Sequence, residues 1–379
     1  MRGILKLVIF NLLALGCLTI LLEMLFDARF FFSLPIEKQH VDYVRRMQEP
    51  FLDRVVSPEE RYLKHTSGLR RDRFRIVTNR DGLILGPREY DRQRSLNRCD
   101  ILFMGGSTTE CLFVHDSLRF AYRTAHLLSK RLNREIIGLN GALSGNHTFH
   151  TISNLVHTGL SYQPRVLVYM ENINDLALLS KTGSYFDAPP SRALSILNSE
   201  QRPGYVRHWI SAYLPNIYRH YLVMSARFES RKGGSTAMVD EFEGYRSRGN
   251  REDIILLEFE KALKTLHGIC QANGVKLVLM TQFNRLDSAN RPFLKEINEH
   301  SGLSELSKWI PTYIRMNQLI RDFSREHGIH CIDLDREVAH TDRHIYDQVH
   351  VNDKGSAFVS EIIARELLAD TTLTSLLSQ

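Results

Sequence analysis

A serine hydroxyl becomes a nucleophile when a histidine can take its proton and a carboxylate holds that histidine in one tautomer. The sequence offers one such set. Ser107 lies in Phe103-Met104-Gly105-Gly106-Ser107-Thr108-Thr109-Glu110, where an apolar run ends in two glycines that let the backbone turn and approach a substrate closely. This is not the Gly-x-Ser-x-Gly elbow, because position 109 is Thr, and no Gly-Lys-Ser/Thr follows to form a phosphate loop. Near the C-terminus stands Asp347-Gln348-Val349-His350. An Asp at that spacing can fold back to accept the imidazole Nδ1–H, which leaves Nε2 as a base. Two more polar blocks follow apolar runs: Asn140-Gly141-Ala142-Leu143-Ser144-Gly145-Asn146 and Glu171-Asn172-Ile173-Asn174-Asp175.

Residues so far apart in the chain need a scaffold that brings them to one edge. Short apolar runs alternate with helical stretches beyond Asn97, which is the signature of parallel β-α units. Strands are expected at Asp100–Gly105, Glu135–Asn140, Val166–Glu171, Lys276–Thr281 and Ile329–Leu334. Helices are expected at Leu118–Leu132, Thr148–Leu160, Ile254–Ala272, Ile310–His327 and Lys354–Leu368. The fold class is therefore α/β, a three-layer α/β/α sandwich around a five-stranded parallel sheet. Its crossovers are right-handed and its ligands sit beyond the carboxyl ends of the strands, where Ser107 and the two polar blocks fall.

These four segments, in this order, resemble the blocks of the SGNH hydrolases, the GDSL esterase/lipase superfamily, over roughly Asn97 to Leu368. The resemblance implies a flavodoxin-like SGNH fold and a serine hydrolase acting on carboxylic esters. It assigns Ser107 as nucleophile and Asp347 and His350 as its partners. It places the oxyanion hole at the Ser107 N–H, the Gly145 N–H and the Asn174 side chain, with Gly141 as a competitor for Gly145. It implies no cofactor and no metal. Two departures stand out: Gly106 replaces the Asp of Gly-Asp-Ser-Leu, and Asn172 replaces the Gly of Gly-x-Asn-Asp, which is expected to alter the rim of the site.

The 379 residues carry 43% hydrophobic and 24% charged residues and a net charge of +6, values that exclude a mainly disordered or polytopic chain and are too diffuse to indicate nucleic-acid binding. The expected division is an N-terminal membrane anchor over 1–29, a connecting region over 30–96 that packs on the main domain, an SGNH domain over 97–370 with an insertion at 183–251, and a tail over 371–379. Ile4–Phe26 is apolar, with no charge from Leu7 to Leu22, which reads as a single transmembrane helix. Cleavage near Ala14-Leu15-Gly16-Cys17 is the rival. Arg2 and Lys6 precede the span while Arg29, Lys38, Arg45 and Arg46 follow, so charge leaves orientation open. The short leading tail points to an extracytoplasmic, periplasmic catalytic domain.

Several groups have plainer readings. The arginines from Arg61 to Arg80 make a solvated connecting region or a contact for anionic lipid or acidic polymer. Tyr185, Phe186, Trp209, Tyr213, Tyr218 and Tyr221 pack a helical insertion or form a carbohydrate-stacking platform. His147 and His150, and the looser set His340, His344 and His350, are weighed as metal ligands and read as ordinary histidines. Cys111 is weighed as a thiol nucleophile, Cys99–Cys111 as a bridge, and Glu171 with Asp175 as a glycosidase carboxylate pair; buried thiols and structural carboxylates are favoured. The sequence thus points to a membrane-anchored serine esterase acting on acylated carbohydrate or another ester, with removal of O-acetyl groups as the expected reaction. The alternatives are an O-acyltransferase with the same triad and a non-catalytic, membrane-tethered polysaccharide-binding module.

Overall fold

The computed structural model describes residues 10–11, 13–25, 43–64, 66–92, 95–189, 192–194, 196–197, 214, 216–217, 251–286 and 306–379. The chain divides into two compact units, Met1–Val44 with Ser195–Ala237 and Arg45–Leu194 with Met238–Gln379.

In the first unit, residues 13–25 are helical and carry Leu13, Leu15, Leu18, Ile20, Leu21, Met24 and Leu25, each at least 50% exposed. The Glu23 carboxylate accepts the backbone N–H of Asn216 at 2.6 Å and of Ile217 at 2.8 Å. Tyr43–Val44 pairs antiparallel with Ile196–Leu197. Among the described residues no helix is long and apolar enough to cross a membrane. Of the expected span Ile4–Phe26, residues 4–9, 12 and 26 lie outside them, as do 30–42 of the expected connecting region and most of the insertion beyond 194.

The second unit is built on five parallel strands: β1 (Ile101–Gly105), β2 (Gly138–Asn140), β3 (Val166–Met170), β4 (Lys276–Met280) and β5 (His330–Ile332), in the order β2-β1-β3-β4-β5. All five fall within the expected runs, trimmed at their ends. β1 and β3 are buried along their whole length, which is why they read as unbroken apolar runs rather than alternating ones. Their side chains nevertheless divide by the period of two. Ile101, Phe103, Val166, Val168, Met170, Val278 and Met280 face one core, whereas Leu102, Met104, Leu167, Tyr169, Leu277 and Leu279 face the other. Two cores on opposite faces of one sheet make the three layers.

The helices are α1 (Ser107–Glu110), α2 (Phe120–Leu132), α3 (Thr148–His157), α4 (Ile173–Thr182), α5 (Glu252–Ala272), α6 (Leu306–His327), α7 (Asp353–Ala369) and α8 (Thr371–Ser378). Phe120 and Leu128 of α2, Ile362 and Leu367 of α7, and Leu373 and Leu377 of α8 fill the first core. Leu155 of α3, Leu179 of α4, Phe259 and Leu263 of α5, and Met316 and Ile320 of α6 fill the second. Two helices depart from expectation. α4 lies where no helix is expected and begins inside the polar Asn-Ile-Asn-Asp block. α8 occupies the expected tail, started by the Asp370 carboxylate accepting the N–H of Thr372 (2.9 Å) and Leu373 (3.0 Å).

Ahead of the sheet, Asp53–Val56 pairs antiparallel with Phe74–Val77. A turn at Asn79 follows, its side-chain oxygen accepting from Asp81 N (3.0 Å) and Leu83 N (2.9 Å). Ile84 then pairs with Asn140 at the end of β2. Within the arginine-rich stretch Arg71, Arg75 and Arg80 pair with Glu60, Asp53 and Asp81.

Candidate active site

The strand order reverses direction between β1 and β3, and a doubly wound sheet opens a crevice at such a point beyond its carboxyl ends. Ser107 leaves β1 as the first residue of α1, so its N–H has no partner within the helix. Its Oγ lies 2.7 Å from His350 Nε2, and His350 Nδ1 lies 2.6 Å from Asp347 Oδ2. The second Asp347 oxygen accepts the backbone N–H of Val349 (3.0 Å) and His350 (2.8 Å), so the carboxylate closes the loop that carries the imidazole. Tyr346 N–H donates to His350 O (2.8 Å), Ile345 bridges to Val351, and the Tyr346 ring stacks on the imidazole with centroids 5.7 Å apart. Burial pulls the His350 pKa down. The adjoining Asp347 charge and hydrogen bond, with Glu110 and Glu171 further off, outweigh it and leave the pKa raised above 6.5.

The second and third blocks meet at Gly106, beside Ser107. Gly145 sits at φ +80, a left-handed conformation that glycine adopts without strain. Among the described residues its N–H meets no acceptor, whereas the Gly141 N–H donates to Phe103 O at 2.9 Å. The competitor's amide is therefore already committed to the sheet edge. Glu110, buried on α1, fixes the loop by accepting the N–H (2.7 Å) and the hydroxyl of Ser144, while Gln48 Nε2 donates to its other oxygen (2.6 Å). Arg46 Nη2 donates to Ser144 O and Arg192 Nη1 to Gly145 O, each at 2.6 Å.

Asn174 enters from α4. Its Nδ2 donates to Glu171 Oε2 at 3.2 Å, and its Oδ1 accepts from Arg192 Nη1 at 3.3 Å. A Cβ on Gly106 would collide with Asn174 Nδ2 and Glu171 Oε2 and lie 3.0 Å from Asn146 O, so all three blocks meet at this glycine. Asn172 corrects the expectation of an altered rim. It is fully buried and donates to Tyr313 O (3.1 Å) and Asn317 Oδ1 (3.0 Å) of α6, away from Ser107's partners.

The remaining candidates are placed elsewhere or do other work. Glu171 and Asp175 are 1% and 0% exposed, and burial pushes both carboxyls up, with Asp175 adding to the rise at Glu171. Asp175 accepts from Thr148 N (3.1 Å), Thr148 Oγ1 (2.7 Å) and the Tyr185 hydroxyl, which is a sealed network rather than two carboxylates across a cleft. His147 and His150 lie ring on ring with centroids 3.7 Å apart and cap α3. Their Nε2 atoms reach Arg192 O (3.2 Å) and Ala193 O (3.0 Å), pinning the segment that carries Arg192. Burial lowers their pKa values to about 2 and about 3, keeping both neutral. His340 bonds Asp335 O at 2.8 Å and His344 stacks on Phe358, so neither joins His350. Among the described residues no group of three or more His, Cys, Asp or Glu is arranged to hold a metal ion.

Cys99 and Cys111 are free, as are Cys17, Cys270 and Cys331. Burial pushes the Cys111 thiol up to about 12, which suits packing and not nucleophilic attack. Tyr185 is buried and Phe186 is 70% exposed against Phe149; Trp209, Tyr213, Tyr218 and Tyr221 lie outside the described residues. Sequence reasoning missed Gln48, Arg46 and Arg192, which carry no local motif. It also missed Glu110 as a support, although a carboxylate one helical turn after the serine was a usable signal.

No protein-family model matches the chain, and no curated protein does. Solved structures with a similar fold include a GDSL-like lipase from Bacteroides thetaiotaomicron, 13% identical, with 70% of this chain and 85% of that one covered at a TM-score of 0.36. Another is an acetylxylan esterase from Geobacillus stearothermophilus, 14% identical, with 72% and 96% covered at a TM-score of 0.39. At such values the likeness carries no chemistry to this chain; the side-chain geometry does.

Proposed function

We propose that this chain is a membrane-anchored serine esterase of SGNH type that removes acyl groups, O-acetyl above all, from a carbohydrate or cell-envelope polymer through an acyl-enzyme on Ser107. The observation that carries the reading is the continuous chain from Asp347 through His350 to Ser107, with links of 2.6 and 2.7 Å. His350 Nε2 takes the Ser107 proton as Oγ attacks the ester carbonyl. The oxyanion is met by the Ser107 N–H, the Gly145 N–H and one Asn174 Nδ2–H, each contributing about 2.7–4 kcal/mol to the transition state on the scale of single oxyanion-hole donors. Asp347 stabilises the imidazolium without taking its proton. His350 returns the proton to the departing sugar oxygen, then deprotonates a water that attacks the acyl-serine, releasing the acid and restoring Ser107.

Anchoring is supported by the charge-free run from Leu7 to Leu22 and by the exposed apolar side chains of the helix over 13–25. In this reading the catalytic unit is extracytoplasmic. The test is turnover of p-nitrophenyl acetate and acetylated xylan by the full chain, with Ser107→Ala as control and a free sugar as competing acceptor. Acetate release that Ser107→Ala abolishes is the expected result. Transfer to the sugar without acetate release would replace hydrolysis by O-acyl transfer. Carbohydrate binding with no acyl chemistry would overturn the reading in favour of a binding module.

A further inference from the structure

Glu171 is a buried carboxylate beside the nucleophile for which the acyl mechanism above has no use. It accepts three N–H groups: Asn172 N at 3.0 Å and Asn174 N at 3.1 Å on Oε1, and Asn174 Nδ2 at 3.2 Å on Oε2. Oε2 and the Asn174 Nδ2 bonded to it together occupy the place into which a side chain at position 106 would project. Position 106 is where the related motif carries its Asp and where this chain has Gly. On the far side of the Asn174 carboxamide, Oδ1 accepts from Arg192 Nη1. Rotating that carboxamide by half a turn would set its oxygen against a carboxylate and its NH2 against a guanidinium. Both ends oppose the flip.

Resting on the esterase reading, we infer that Glu171 is a positioning residue: it supplies from the end of β3 the carboxylate missing at position 106, and it holds one Asn174 Nδ2–H so that the other faces the oxyanion. The loss of an acid from the serine block and the gain of one in the asparagine block are then a single rearrangement. Gly106 is required because Glu171 and the Asn174 carboxamide it holds fill its space.

The experiment uses the full chain with p-nitrophenyl acetate and follows kcat and KM separately, with far-UV circular dichroism and the melting curve as checks on folding. Glu171→Gln sets an NH2 against either Asn174 Nδ2 or the two backbone amides, and kcat should fall about 10²-fold, the scale of losing one oxyanion-hole donor, with KM within about threefold. Glu171→Gly should fall as far, and adding Gly106→Asp to it should recover at least about tenfold of that loss, because the carboxylate returns from the other side of the same space. Gly106→Asp alone crowds two carboxyls together and should be inactive. If Glu171→Gln does not melt cooperatively, the exchange of positions 106 and 171 decides by itself. A wild type that turns over ester, is silenced by Ser107→Ala and is unaffected by Glu171→Gln would overturn this inference alone. So would an exchange variant that folds and recovers nothing. A wild type without turnover would overturn the esterase reading, and this inference with it.

Discussion

Replacing Asp347 by Asn is the sharpest perturbation of the triad, because the structure dictates how the new side chain must sit. One Asp347 oxygen accepts two backbone N–H groups, from Val349 and His350, and the other accepts His350 Nδ1–H. An asparagine satisfies the two amides only with its oxygen toward them, which turns its NH2 toward Nδ1. The imidazole must then carry its proton on Nε2, facing Ser107 Oγ across 2.7 Å, and cannot accept the serine proton. The opposite rotamer would face two donors with a third and leave two N–H groups without an acceptor. The expected loss in kcat is about 10⁴-fold, the scale seen for the same change in serine proteases, or about 5.5 kcal/mol of activation free energy. The assay is steady-state hydrolysis of p-nitrophenyl acetate from pH 5 to 9, with a urea melt to show that the variant is folded. A folded Asp347→Asn protein within about tenfold of wild-type kcat would refute the tautomer argument.

Further outcomes follow from the same geometry. Because the general base must be neutral and the His350 pKa is raised above 6.5, activity should rise with pH through an acid limb above that value, and Glu110→Gln should move the limb to lower pH; a limb below 6.5 in the wild type would contradict the electrostatics. Gly106→Ala should cost about 1–3 kcal/mol in a urea melt and reduce kcat, since its methyl group collides with Asn174 and Glu171. Gly145→Ala, at φ +80, should lower both stability, by about 1–2 kcal/mol, and kcat, whereas Gly141→Ala, whose N–H is bonded to Phe103, should leave kcat much less changed; equal losses would mean the oxyanion glycine is misassigned. Leucine at either residue of the His147–His150 pair removes an anchor of the Arg192 segment and should lower kcat by weakening the hold on Asn174 and Gly145, read as a fall in kcat with the melting curve retained.

The sheet was legible because strands buried on both faces read as unbroken apolar runs, and Ile101–Gly105 and Val166–Met170 have little else in them. α4 was not, because its first turn holds Asn174 and Asp175, side chains whose partners, Glu171, Thr148 and Tyr185, include residues well outside the local window. The triad could be read because Asp347 and His350 share one turn and Ser107 follows a strand, all local features. Its supports could not: Arg46 and Arg192 reach the Gly145 loop across 98 and 47 residues of sequence, and no local pattern encodes such a distance. Asn172 shows the converse error, a departure from a motif placed at the rim because its neighbours are there, when a one-residue change of direction buries it against α6.

The central claim is that Ser107 is activated by His350, and the direct measurement is the intact mass of the full chain after exposure to a serine-directed fluorophosphonate, for the wild type, Ser107→Ala and His350→Ala. The account requires a single covalent adduct on the wild type, none on Ser107→Ala, and a much slower one on His350→Ala. A folded wild type that takes no adduct, or a Ser107→Ala variant that labels as fast as the wild type, would contradict it.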